Sequence, residues 1–242
     1  LAHQRLGPCL TGFEVMGQFA LSLVDKHYPQ LRVPLWQNTP WCVLLENSDN
    51  ENEAHARSQF EALLETALAQ GCVTDAVVAE NLSQAQSLWH IRESITLAQA
   101  AEGLNIKHDI SIPVSRIPAF VAETDALLAR EFPGVRMVDF GHLGDGNLHY
   151  NVQAPEGVDG PTFLREHEER VNTVVFDQVK RFDGSISAEH GVGELKAGKL
   201  PHYKDPTALA MMRAVKQALD PDNLLNPGRV LLTSPSPHRS VS

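Results

Sequence analysis

Along this chain the spacing of apolar residues switches repeatedly between helical and extended periods. Residues 13–25 read as a helix, after which Pro29, Pro34 and Pro40 punctuate a loop. A strand is predicted over residues 41–46. Between Asn52 and Gln70 the apolar residues Phe60, Leu63, Leu64 and Leu68 recur at helical spacing, and Gly71 supplies a usual terminator. Residues 74–80, centred on Ala76-Val77-Val78-Ala79, are predicted as a second strand. A helix follows over 83–101, ended by Gly103, and residues 107–112 alternate polar and apolar as a half-buried strand does.

The order then repeats: a helix over 117–130, a strand over 135–140, a glycine-rich turn, and a strand over 148–152. Two rounds of strand, helix and strand with hairpin-like returns predict an α+β fold, an antiparallel sheet covered by helices, with ferredoxin-like elements repeated. A doubly wound parallel sheet is disfavoured because residues 144–147 join two strands directly, too short a link for a parallel crossover. A long helix is predicted over 163–181. Another ends at Leu219 before Pro221, with Asp205 as its N-cap and Pro206 at its first position. Residues 233–242 are rich in Ser and Pro with little to bury, so they are expected to be a disordered tail, leaving 1–232 as one domain.

Charge narrows the range of partners. The 242 residues carry 20 Lys and Arg against 30 Asp and Glu, a net charge of -10. Without basic runs, this argues against nucleic acid or an anionic membrane as the main partner and makes small molecules or a protein the default. Cys9, Cys42 and Cys72 stand outside any CxxC and fit reduced thiols in a cytoplasmic protein, with no chemistry assigned to them. No apolar stretch approaches the roughly 18 residues of a membrane span. The start, Leu1-Ala2-His3-Gln4-Arg5, lacks the apolar centre of a signal peptide, so a soluble chain is expected. It opens on Leu1 and not Met, and reads like the interior of something longer.

The densest chemistry lies in Gly141-His142-Leu143-Gly144-Asp145-Gly146-Asn147-Leu148-His149-Tyr150-Asn151. Glycines between the two histidines permit a sharp reversal that brings both rings to one point, and His149 and Asn151 share a strand face. The plain alternative is an Asp-Gly hairpin with surface histidines. In Ser187-Ala188-Glu189-His190-Gly191-Val192-Gly193 a carboxylate and an imidazole precede a helix expected to start near Gly193, where Glu189 can simply cap it. Together with His142 and His149, Glu189 completes a two-His, one-carboxylate set, the composition of a divalent-metal site with a position left open. Arg92 and Thr96, four apart on a predicted helix, and Lys107 on the next strand can form an anion pocket, although each alone is more often a solvated side chain. There is no Walker loop, no G-x-G-x-x-G between strand and helix, and no G-x-S-x-G elbow.

At these residues the sequence closely resembles the C-terminal half of the FAD-linked oxidases of D-2-hydroxy acids. The hallmarks are GHLGDGNLHYN at 141–151, SAEHGVG at 187–193 and LNPG at 225–228, and the match runs from about Gly12 to Val230. The resemblance implies a substrate domain lying over the flavin, with the FAD-binding domain upstream of this chain and the fragment inactive alone. It implies His142, His149 and Glu189 as ligands of zinc or manganese, His190 as catalytic base, and Asn151 as a substrate contact. Arg92, Thr96 and Lys107 match anion-pocket positions of the D-2-hydroxyglutarate branch, and Asn226 a position approaching the flavin. His108 departs from the aromatic Tyr common there. A D-2-hydroxyglutarate-like substrate is thus expected, with D-lactate or glycolate as the alternative. An electron-transfer flavoprotein or quinone is the implied acceptor, and a homodimer is possible within the family. From another class, the same metal set would suit a stand-alone zinc hydrolase with His190 or Asp145 as base.

Overall fold

Every strand pairing in the structure, a computed structural model that describes residues 1–232, is antiparallel. The predicted tail at 233–242 lies outside the described residues. The chain begins with α1 (Ala2–Leu6), β1 (Leu10–Gly17), α2 (Gln18–His27), β2 (Trp41–Asn47) and α3 (Glu53–Ala69). Then come α4 (Leu82–Glu102), β3 (Asn105–Ile106), β4 (Asp109–Ser111) and α5 (Ile117–Glu131). The hairpin of β5 (Arg136–His142) and β6 (Asn147–Gln153) precedes α6 (Gly160–Arg181), α7 (Leu200–Tyr203) and α8 (Pro206–Leu219). The six-stranded sheet runs β2-β1-β5-β6-β3, with β4 also on β6. This is the α+β architecture expected from the sequence.

Helices cover both faces. On one, α2 and α4 pack Leu21, Ile91 and Ile95 against Met16, Val138 and Phe140. On the other, α5 and α6 bring Phe120 and Val175 onto Val15, Ile110, Leu148 and Tyr150. Side chains of Asn52, Asn81, Asp159 and Asp205 accept backbone N–H groups in the first turns of α3, α4, α6 and α8, satisfying donors that the helix itself leaves free.

Four sequence expectations are corrected. Residues 13–25 are not one helix but the end of β1 followed directly by α2, with Gly17 in extended geometry between them. Because β1 is covered on both sides, Val15 and Met16 are both buried, and the alternation that marks a strand is absent. Residues 74–80 form no strand; Val77 is 52% exposed, and an apolar run without a partner ladder has nothing to hold it extended. The helix expected at Gly193 is a series of turns, with Gly193 itself at φ +60°. The strand predicted over 107–112 is interrupted: β3 and β4 flank His108, whose N–H is donated to the Asn151 side chain (3.0 Å).

The β5–β6 hairpin depends on close backbone approach. A Cβ on Gly141 would lie 2.3 Å from the Asn147 carbonyl oxygen and 2.9 Å from Leu148 Cα. Gly146 sits at φ +82° with the Ile112 carbonyl oxygen 2.3 Å from where its Cβ would be.

Behind this hairpin, Asp139 is buried near Asp125, which accepts a 2.5 Å hydrogen bond from the Tyr150 hydroxyl. Burial first, and the Asp125 charge second, push the Asp139 carboxyl well above its ordinary value. The folded state therefore keeps a proton that the unfolded chain releases above its ordinary value of 3.8. Stability is expected to fall as pH rises from there until the raised value is passed, by up to about 1.4 kcal/mol per pH unit. Urea unfolding of Asp139→Asn at a series of pH values should show this slope reduced, and an unchanged slope would exclude Asp139 as its source.

Candidate active site

Strand register assembles the site. Glu14 pairs directly with His142 across β1 and β5, Phe140 with His149 across β5 and β6, and Asp109 with His149 across β4 and β6. Directly opposed residues point to the same face, so these five side chains form one polar and aromatic row. His142 and His149 are diagonal neighbours across the hairpin, their ring centroids 6.4 Å apart. The metal-ligating atoms of His142, His149 and Glu189 all lie within 4.8 Å of one another, and His142 Nε2 is 2.8 Å from Glu189 Oε1. The glycine-permitted reversal thus brings the two histidines and the distant carboxylate together.

Glu189 and His190 arrive on a loop held from beneath. Asp109 Oδ2 accepts the backbone N–H groups of His190 (2.9 Å) and Ala188 (3.2 Å). Burial alone would raise the Asp109 carboxyl, but these amides and that of Glu189 outweigh it and hold it below its ordinary range. Lys196 Nζ donates to the Ile186 carbonyl oxygen (2.8 Å) at the start of the same loop. His190 is left exposed, its Nδ1 3.9 Å from Asp109 Oδ2 and its ring 5.8 Å from that of His149. Burial pushes the His149 imidazole down against the opposing pull of Glu189 and Asp109, which favours the neutral ring whose lone pair a metal requires.

A cleft of about 660 Å³ opens over this loop. Of the sequence-predicted pocket residues, Thr96, Lys107 and Asn151 line it together with His149, Glu189 and His190. Lys107 is exposed and makes no ion pair among the described residues. The Asn151 amide is fixed, donating to Gln99 Oε1 (2.9 Å) and accepting from the His108 N–H. Arg92 is buried: its Nε donates to Glu14 Oε2 (2.8 Å), and its guanidinium carbon lies 4.9 Å from the centre of the Phe140 ring. No hydrogen bond among the described residues uses its two terminal nitrogens. His108, which stands where the resemblance implies Tyr, is buried edge-on to Phe176, and burial lowers it to about 4, so it is a neutral wall residue.

Arg92 does not line the cleft, and two further predicted residues stand apart from it. Asn226, at φ 47°, lies in the turn after α8; its carbonyl accepts the N–H of Arg229, and Arg229, not Asn226, borders the cleft. Asp145 accepts the Asn147 N–H in the hairpin turn (3.0 Å) and is not among the cleft residues. Sequence reading missed Glu14, Asp109, Gln99 and Lys196. For Asp109 a signal existed, since it lies two residues from Lys107 beside a predicted site residue; Glu14 was hidden inside the misread helix.

The donor set suits a divalent ion. His142 Nδ1 is engaged by Glu14 Oε1 at 2.7 Å, which leaves Nε2 facing Glu189. Two imidazole nitrogens and a carboxylate oxygen match the borderline preference of zinc and keep a coordination position open, while the carboxylate oxygen also suits the harder manganese.

Residues 2–230 match the family described as FAD linked oxidases, C-terminal domain, and the chain belongs to that family. It is 40% identical over 230 residues to a D-2-hydroxyglutarate dehydrogenase of Xanthomonas citri pv. viticola, covering 94% of this chain and 47% of that protein. To the mitochondrial D-2-hydroxyglutarate dehydrogenase of Arabidopsis thaliana it is 36% identical, covering 95% of this chain and 39% of the relative. The corresponding enzyme of Rattus norvegicus is also 36% identical, with 94% and 40% covered. The chain therefore spans less than half the length of these relatives.

If His142, His149 and Glu189 hold one ion, His149→Ala in the intact protein should weaken Zn²⁺ binding more than about 100-fold, beyond the usual effect of losing a supporting hydrogen bond. Competition with a chromophoric chelator measures this, and unchanged affinity removes His149 from the ligand set.

Proposed function

We propose that this chain is the substrate-binding half of an FAD-dependent dehydrogenase that oxidises a D-2-hydroxy acid, best D-2-hydroxyglutarate, to the 2-oxo acid. The observation that carries the reading is the convergence of His142, His149 and Glu189 beside an exposed His190, in a cleft that also holds Thr96, Lys107 and Asn151. A divalent ion held by the three ligands would orient the 2-hydroxycarboxylate and acidify its hydroxyl, and FAD would accept the hydride.

The remaining work falls to this chain's own side chains. His190 takes the hydroxyl proton as the C2–H bond breaks, because it is exposed at the cleft while its backbone is pinned by Asp109. Lys107, which makes no ion pair among the described residues, supplies a mobile positive charge at the cleft, and the terminal nitrogens of the buried Arg92, behind the cleft residue Phe140 and used by no hydrogen bond among the described residues, offer donors for a carboxylate. Asn151 presents a rigid amide edge. A second carboxylate on the substrate would use these cations, which is why a dicarboxylate fits better than lactate or glycolate. Continued turnover needs an electron acceptor, for which an electron-transfer flavoprotein or a quinone has suitable chemistry.

In the intact flavoprotein, His190→Ala is expected to lower kcat about 10²–10⁴-fold, the usual contribution of a general base, with bound metal retained. Metal loss in that variant would recast His190 as a ligand. Lys107→Ala should raise KM several-fold more for 2-hydroxyglutarate than for lactate; equal increases would count against the dicarboxylate reading.

A further inference from the structure

Behind the site, Glu14 makes a contact that the mechanism so far does not use. It sits in the middle of β1, 4% exposed, and its two carboxylate oxygens go to two different functional groups. Oε1 lies 2.7 Å from His142 Nδ1, and Oε2 accepts from Arg92 Nε at 2.8 Å. We infer that Glu14 is a positioning residue that joins the metal seat to the anion pocket, one carboxylate setting both the His142 ring and the Arg92 guanidinium. The inference rests on the proposed function, since it assigns Glu14 a role towards the same ligands and substrate.

The physical case has three parts. A carboxylate at Nδ1 selects the tautomer protonated there, so Nε2 carries the lone pair and faces Glu189 (2.8 Å). Arg92 is 7% exposed, and with Nε tied to Glu14 and its plane against Phe140 (4.9 Å) its orientation is fixed while its terminal nitrogens stay free. The Glu14–His142 pairing is also a directly opposed position of the β1–β5 ladder, so strand register fixes the backbone of Glu14 beside His142 and the face its side chain takes. A buried ion pair contributes little net stability compared with apolar residues of similar volume, so packing alone does not call for one here.

Glu14→Gln keeps the shape but loses the charge, and its single amide oxygen can serve only one of the two donors. In the intact flavoprotein we expect Zn²⁺ affinity to fall about 10–100-fold, the range for losing a hydrogen bond to a metal-ligating histidine. The absorption spectrum of the Co²⁺-substituted protein should change, and KM for 2-hydroxyglutarate should rise several-fold, with circular dichroism as in the wild type. Glu14→Asp, which keeps the charge but shortens the reach by one methylene, should lose metal affinity relative to wild type but less than Glu14→Gln, and if the glutamine variant does not fold, wild-type metal affinity, Co²⁺ spectrum and KM in Glu14→Asp would overturn the inference. Metal affinity, Co²⁺ spectrum and KM all within twofold of wild type in a folded Glu14→Gln protein would overturn the inference. A wild-type protein that binds no stoichiometric Zn²⁺ or Co²⁺ would instead refute the metal reading beneath it, so the two failures are told apart by the wild-type titration.

Discussion

Antiparallel register in a sheet covered on both faces is the constraint from which the site follows. Once β5 and β6 pair through Phe140 and His149, and β1 and β4 add at either side through Glu14 and Asp109, the polar groups have no choice of position. A one-residue slip would send each to the opposite face, into the packing of Phe120, Leu148 and Tyr150. The glycines of the hairpin are what allow this register: any side chain at 141 would meet the facing strand's backbone. Fold stability and site geometry therefore rest on the same pairing.

The row also shows how carboxylates divide labour by what they face. Asp109 is surrounded by backbone N–H groups and acts as an anchor for the Glu189–His190 loop. Glu14 faces a ring nitrogen and a guanidinium and orients both. Glu189 reaches the cleft from the loop, within ligand distance of His142 and His149. Asp139, on the other face of the same strand as His142, makes no ion pair among the described residues, and burial keeps its proton on. Identical chemistry thus yields anchor, positioner, ligand and neutral core group, decided by neighbours that are remote in sequence.

Much of this was legible in the residues. The helices over 52–70, 83–101, 117–130, 163–181 and the one ending at Leu219 are found with shifts of a few residues, because each carries a helical apolar spacing and several carry a side-chain cap. The hairpin was legible too, since glycines flanking Asp145 have few other uses. The region of β1 was not: apolar residues on both sides of a covered strand look like a helix, and that error concealed Glu14. The run at 74–80 failed for the opposite reason, having strand composition but no partner to pair with.

The sequence by itself determined most of the helices, the antiparallel hairpin and the candidate donors His142, His149 and Glu189, since those depend on local spacing and residue chemistry. It could not decide that Arg92 is tied back to Glu14, that Asn151 is locked by Gln99 and His108, or that Asp109 holds the Glu189–His190 loop. Those pairings join residues 43 to 81 positions apart. They arise only when the sheet closes, because register and burial set which charge meets which, and neither is written in any local stretch of chain.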